Sequence, residues 1–304
     1  MSERRILEEL AKITGSTSCL DYDACPGPQG LLYNIDGYSL EDSMLPWMTY
    51  RDWGWKAVVA AVSDIAASGG GPLALMYSVG LDSRDRIYEV ASGVAEAAEW
   101  LGIVVLKSDT NRSRGRGWID VAVVGETRRP VPRSGAKPGD VVVQVGALGY
   151  GALARLALEG ILDVRRVGDS LSYTARPKPP IFMGLSISEC GASASSDNSD
   201  GWAYTLENVA VSSGVDILLD DLVAEEDVVR VLARAGVDVD KALLSSWEDY
   251  NIVVTIPREK ASCVLEACRG NNVKCGIVGR VEEGKGRVYY RGEMVEVKYW
   301  SWLE

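Results

Sequence analysis

The chain contains no histidine. That absence removes Ser/His/Asp and Cys/His triads, histidine-ligated zinc and any imidazole base. Its six cysteines include no CxxC pair, so neither a zinc site nor a disulfide framework is indicated, and they read as cytosolic thiols, mostly in the core. No run is long and apolar enough to span a bilayer. The amino-terminal SERRILEELAKI reads as an amphipathic helix rather than a signal peptide, so a cytoplasmic protein with no membrane association is expected. Positive charge is in deficit: 32 Lys and Arg against 43 Asp and Glu give a net charge of −11, which argues against a nucleic-acid partner. No GxxxxGK[ST] loop is present, nor an HRD or DFG kinase signature. Chemistry must then rest on carboxylates, Lys and Arg, hydroxyls, backbone or metal.

What is present is a globular chain of 304 residues, 47% hydrophobic and 25% charged, long enough for two domains. Residues 53–71, WGWKAVVAAVSDIAASGGG, read as a helix ended by a triple glycine. Trp55, Val58, Val59, Val62 and Ile65 share one apolar face at helical spacing. The other face carries Ala57, Ala60, Ala61, Asp64, Ala67 and Ser68, where an exposed helix would carry Lys and Glu. A second layer or a ligand is therefore expected on that side too. Asp64 then reads as the only charge on a helix covered on both faces, and a buried carboxylate calls for a cation.

Along the chain, strand character is expected at 16–23, 31–36, 72–81, 103–107 and 118–127, with a helix at 85–101 and a loop at 37–49. The segment RPVPRSGAKPG, residues 129–139, is dense in Pro and Gly and reads as the boundary between domains at 1–134 and 135–304. The second half offers strands at 140–145, 216–219, 250–256, 275–282 and 287–290. Helices are expected at 152–159, 181–190, about 201–213, 224–235 and 259–269, with an extended connector at 175–180. The order is α+β in both halves. Gly-rich 69–71 reads as a helix cap. For 146–151, GALGYG, a tight turn and a phosphate cradle are equally open.

Asp23, Asp36, Asp109, Asp197 and Asp200 recur at strand ends or helix starts, with Asp64 on its helix. Sites are commonly assembled at such positions. All-oxygen ligation suits a hard cation such as magnesium, which bridges carboxylates to substrate phosphates. A metal-assisted phosphate reaction is the leading class.

The segments GWKAVVAAVSDIAASGGGP, SDTNR, VPRSGAKPGD, SSDNSDG and WEDYNIVVTIP resemble, in order, the motif series of the thiamine-monophosphate kinase family, within the aminoimidazole ribonucleotide synthetase and selenophosphate synthetase superfamily. The resemblance runs from about Gly15 to the end. It implies two α/β domains and a homodimer whose N-terminal sheets join in a barrel. It also implies ATP and several magnesium ions as partners in phosphorylating thiamine monophosphate to the diphosphate, with no general base. Carried over by motif, the magnesium ligands would be Asp23, Asp36, Asp64, Asp109, Asp197 and Asp200. Ser108, Asp109, Arg133 and Ser199 would lie against ATP, and Ser43, Glu248 and either Tyr299 or Trp302 against the acceptor. The chain departs from the family pattern at Tyr22, at Asn34-Ile35, at Ser43 and at Tyr150. The alternatives are another ATP-using synthetase of the superfamily, or a non-catalytic nucleotide-binding assembly subunit.

Overall fold

The computed structural model describes residues 3–297 except 114. The helices are α1 (Glu3–Thr14), α2 (Leu40–Ser43), α3 (Tyr50–Ala67), α4 (Arg84–Leu101), α5 (Tyr150–Leu158), α6 (Val164–Ala175), α7 (Met183–Cys190), α8 (Trp202–Ser213), α9 (Glu226–Arg234), α10 (Val239–Leu244) and α11 (Ala261–Gly270). The strands are β1 (Cys25–Pro26), β2 (Leu31–Ser39), β3 (Gly71–Leu81), β4 (Val104–Arg112), β5 (Trp118–Glu126), β6 (Asp140–Val145), β7 (Ala194–Asp197), β8 (Val215–Leu219), β9 (Ile252–Pro257), β10 (Cys275–Glu283), β11 (Val288–Tyr290) and β12 (Glu293–Met294).

Two mixed sheets result, ordered β1-β2-β5-β3-β4 and β12-β11-β8-β10-β6-β9-β7. In the first, β3 and β4 are parallel and the intervening α4 makes the crossover; the other pairings are antiparallel. This sheet is open, with β1 and β4 as its edges, and does not close into a barrel within one chain. The connector at 129–139 lies between the last strand of the first sheet and the first strand of the second.

Helix α3 lies between them. Thr49 and Asp52 form a capping box at its start, and Gly69, at φ +77°, turns the chain at its end. Its apolar face packs with Leu75, Ile119, Val121 and Val123 of the first sheet in one core. That core extends to Val141, Val143, Ile252 and Val254 of the second sheet, which is the second layer that the small residues of α3 predict. Gly54 and Gly93 let α3 and α4 approach closely: a Cβ at Gly93 would lie 1.8 Å from the Arg51 carbonyl oxygen. The opposite face of the second sheet, including Val142 and Val253, packs under α5, α6 and α8 in another core.

Several sequence expectations need correction. Residues 16–23 are not strand: Thr17–Cys19 is a single 3-10 turn, exposed and without a sheet partner. Strand β2 runs on to Ser39 because β5 pairs with it throughout, and α2 occupies part of the expected loop. Helices α6 and α10, capped by Asp163 and Asp238, lie where no helix was expected. All six cysteines are paired, as Cys19–Cys25, Cys190–Cys263 and Cys268–Cys275. Their Cα separations of 4.8, 5.6 and 6.3 Å are those of bridged cysteines. The reading of reduced thiols without a disulfide framework is overturned. Among the described residues no helix is long and apolar enough to cross a membrane.

Candidate active site

Asp23, Asp64 and Asp197 come from three distant parts of the chain and converge, each offering a carboxylate oxygen within 4.8 Å of the others. Asp64 sits in the last turns of α3, Asp197 ends β7, and Asp23 lies in the loop before β1. Neighbouring donors hold each carboxylate. Asn34 Nδ2 on β2 donates to Asp64 Oδ2 at 2.5 Å and to the Ala61 carbonyl at 3.1 Å. Thus Asn34, one of the departures from the family pattern, still serves the site with an amide in place of a hydroxyl. Ser63 Oγ donates to Asp197 Oδ2 at 2.6 Å, joining α3 to the second sheet. Asp23 accepts from Ser196 Oγ and from the Asp197 backbone N–H, both at 3.3 Å, and faces Arg133 Nη1 at 3.4 Å. Arg133 also donates to the carbonyls of Leu20 and Tyr22, so it holds the loop that carries Asp23.

Burial raises all three carboxyls above the ordinary 3.8. For Asp64 the charges of Asp197, Asp36 and Asp23 push further the same way, and for Asp197 the charge of Asp23 does so. Arg133 works against the rise at Asp23. Asp36 and Asp200 act on this cluster through their charges, Asp36 on Asp64 and both on Asp197. Five of the six predicted aspartates therefore share one electrostatic neighbourhood. A set of buried, mutually repelling oxygen donors with, among the described residues, Arg133 as the cation beside it is short of positive charge. It fits a hard divalent cation.

Asp109 does not join them. It pairs with Ser78 on β3, which pairs with Asp120 on β5, which pairs with Gly37 on β2. Three strand spacings separate Asp109 from that end of β2, about 14 Å. Strand alternation puts it on the outer face of the sheet, opposite Asn34 and Asp36. Ser108 and Asp109 are exposed on the edge strand. The outer face also exposes Tyr33, Ile35 and Met76, which line an open concavity with Asp23.

On the expected acceptor side, Ser43 accepts from Trp53 Nε1 at 2.7 Å. Ser199 gives its carbonyl to the Glu248 N–H at 2.9 Å. Glu248 forms a buried ion pair with Lys56 of α3, whose ammonium also lies 5.6 Å from the Trp247 ring centroid. The reading of Asp64 as the only charge on the covered helix is therefore wrong: Lys56 is fully buried on α3 too, and an isolated lysine in an apolar helix has no periodic signature. Tyr38 and Tyr250 were missed as well, their hydroxyls meeting at 3.0 Å between β2 and the segment leading into β9. The GALGYG turn is a cap: the Gly149 and Gly151 N–H groups donate to Asp249 at 2.9 and 3.0 Å, so this chain's own carboxylate fills the place an anion would take. Tyr299 and Trp302 lie outside the described residues.

Comparison with known proteins agrees with this architecture. Residues 20–127 match the model of the AIR synthase related protein N-terminal domain, and residues 137–291 that of the C-terminal domain. The thiamine-monophosphate kinase of Pyrobaculum calidifontis is 32% identical over 90% of this chain and 87% of its own length. That of Pyrococcus horikoshii is 34% identical over 86% and 83%. AaThiL, solved in complex with AMPPCP and TMP, superposes with a TM-score of 0.86 at 28% identity, covering 99% of this chain and 97% of that one. The Aquifex aeolicus thiamine monophosphate kinase gives 0.81 at 28% identity, over 96% of each. With both domain models and these relatives aligned along most of its length, the chain belongs to the AIR synthase related family, in the thiamine-monophosphate kinase branch.

Proposed function

We propose that this protein transfers the γ-phosphoryl group of ATP to the phosphate of thiamine monophosphate, giving thiamine diphosphate. The observation that carries the reading is the convergence of Asp23, Asp64 and Asp197 within 4.8 Å in a chain of this family that has no histidine. The acceptor oxygen belongs to a phosphate already ionised near neutral pH, so no side chain has to remove a proton. Positioning and charge neutralisation are the tasks left to the protein. Asp23, Asp64 and Asp197 would hold magnesium, with Asp36 and Asp200 at the rim. Bound there, magnesium would neutralise the charge that develops on the phosphates. Arg133 keeps the Asp23 loop in place and Ser63 ties Asp197 to α3, so residues 1–134 and 135–304 act as two domains meeting at the reaction centre. Glu248, near the entry to β9, would face the cationic thiamine moiety with Ser43 close by.

Asp109 and Ser108 fit this scheme through a homodimer. The exposed apolar outer face of the first sheet borders Asp23, and β4 is an open edge. A second copy packed there would close the sheets into a barrel and bring its own Asp109 and Ser108 toward nucleotide held by the first. A coupled assay of ADP release, with thiamine monophosphate against a panel of other phosphates and of amides, tests the function. Release with an amide acceptor and not with thiamine monophosphate would assign the protein to a synthetase instead.

A further inference from the structure

We infer that Lys56 is a positioning residue for the acceptor: it holds the Glu248 carboxylate aimed, through a buried chain that runs from α3 to β2. The inference rests on the acceptor-side reading of Glu248 above. Lys56 is fully buried, and its partner Glu248 keeps 13% of its side chain accessible. The accessible end of the pair is therefore the carboxylate. The ammonium is sealed behind it, over the Trp247 ring and near the Ser43 carbonyl. A buried ion pair as a whole adds little to stability that well-packed uncharged side chains would not match, so stability alone does not account for it. What Lys56 supplies is a fixed charge beside a carboxylate.

Glu248 itself is locked. It and Tyr250 adopt φ of +53° and +51°, left-handed values that a residue with a side chain takes only when its surroundings impose them. Two backbone bonds impose them here, Glu248 N–H to the Ser199 carbonyl at 2.9 Å and Tyr250 N–H to the Asn198 carbonyl at 3.0 Å. Asn198 and Ser199 lie between Asp197, which ends β7, and Asp200, so the acceptor-side carboxylate is tied to the phosphate end of the site. Tyr250, two residues on from Glu248, meets Tyr38 of β2 through its hydroxyl at 3.0 Å. Burial pushes the Glu248 carboxyl upward and the Lys56 ammonium opposes the rise. Without Lys56 the group reverts toward its neutral form, and a planar organic cation loses the charge it would meet.

The test is calorimetric binding of thiamine monophosphate to the full chain, saturated with magnesium and AMPPCP, alongside KM and kcat for both substrates. Lys56→Met should weaken thiamine monophosphate about tenfold or more while AMPPCP affinity stays within about twofold. Lys56→Arg should recover most of the loss. If Lys56→Met does not fold, the double variant Lys56→Met/Glu248→Gln leaves no unpaired buried charge. It should bind thiamine monophosphate as Glu248→Gln alone does, since Lys56 acts only through Glu248. Equal weakening of both ligands, no weakening, or further loss in the double variant would overturn the inference. A native protein that neither binds nor phosphorylates thiamine monophosphate, while releasing ADP with another acceptor, would instead remove the kinase reading and this inference with it.

Discussion

Replacing Asp64 by Asn separates the metal role from a structural one, because the two predict opposite effects on stability. Three carboxylates within 4.8 Å repel one another when ionised. Each pair costs about 1–3.5 kcal/mol between a water-like and a surface-like dielectric. Without metal the native site escapes by keeping protons, which is why burial and mutual charge raise Asp64 and Asp197 well above 3.8. A carboxyl raised on folding makes the folded state bind more protons than the unfolded chain. Metal-free stability therefore falls as pH rises from about 4 through the raised folded values. Asp64→Asn removes two of the three repulsions, and the amide oxygen it leaves can still accept from Asn34. Metal-free variant should melt at or above the native temperature, with a shallower decline as pH rises. Magnesium at a hundred times its dissociation constant should stabilise the native protein by about 2.7 kcal/mol and the variant hardly at all. ADP release should drop about a hundredfold or more in the variant. The measurements are thermal melts from pH 5 to 8 with and without magnesium chloride, run beside the coupled assay. A variant that keeps both the magnesium-dependent shift in melting temperature and its ADP release would refute the reasoning.

Other perturbations probe the remaining parts. Glu248→Gln should raise KM for thiamine monophosphate about tenfold with ATP affinity held; parallel changes for both substrates would take Glu248 off the acceptor side. Asp109→Ala should lose magnesium-dependent ATP binding, and so should native protein diluted until sedimentation shows single chains. Unaltered calorimetric affinity in either case would count against a site shared between copies. Reduction should lower the melting temperature, since the Cys190–Cys263 bridge spans 73 residues and contributes about 4 kcal/mol in the chain-entropy estimate. Free thiols titrated in denaturant without reductant would contradict the pairing.

Much of the fold is legible because local signals and tertiary partners agree. Residues 53–71 show both faces of α3 and its glycine stop, and the structure adds the capping box at Thr49 and Asp52. Strand β2 is read too short because 37–39 carry no apolar alternation; what keeps them extended is β5, paired from Leu31↔Glu126 to Ser39↔Trp118. Helix α6 left a signal that could have been used. Asp163 caps it by accepting from the Arg165 N–H, and Val167 and Leu171 lie four apart on its buried side. The disulfide between Cys190 and Cys263 left none, since spacing does not reveal which cysteines meet.

The site shows where residue type stops being informative. Asp36 and Asp109 carry the same sequence signature, an aspartate in the C-terminal half of a strand of the first sheet. One faces α3 and the Asp64 cluster; the other lies three strands away on the outer face. Nothing in either local sequence separates them. Strand order and register do, and both are set by partners elsewhere in the chain. Lys56 inverts the case. Its type is the least expected inside an apolar helix, yet its position is fixed by a residue of the second sheet's approach, Glu248. A buried charge is therefore best found by asking which opposite charge the fold can bring to it. For Lys56 the answer lies within this chain. Asp109 has no cation against it among the described residues, and its place on an open edge is what the proposed site shared with a second copy would use.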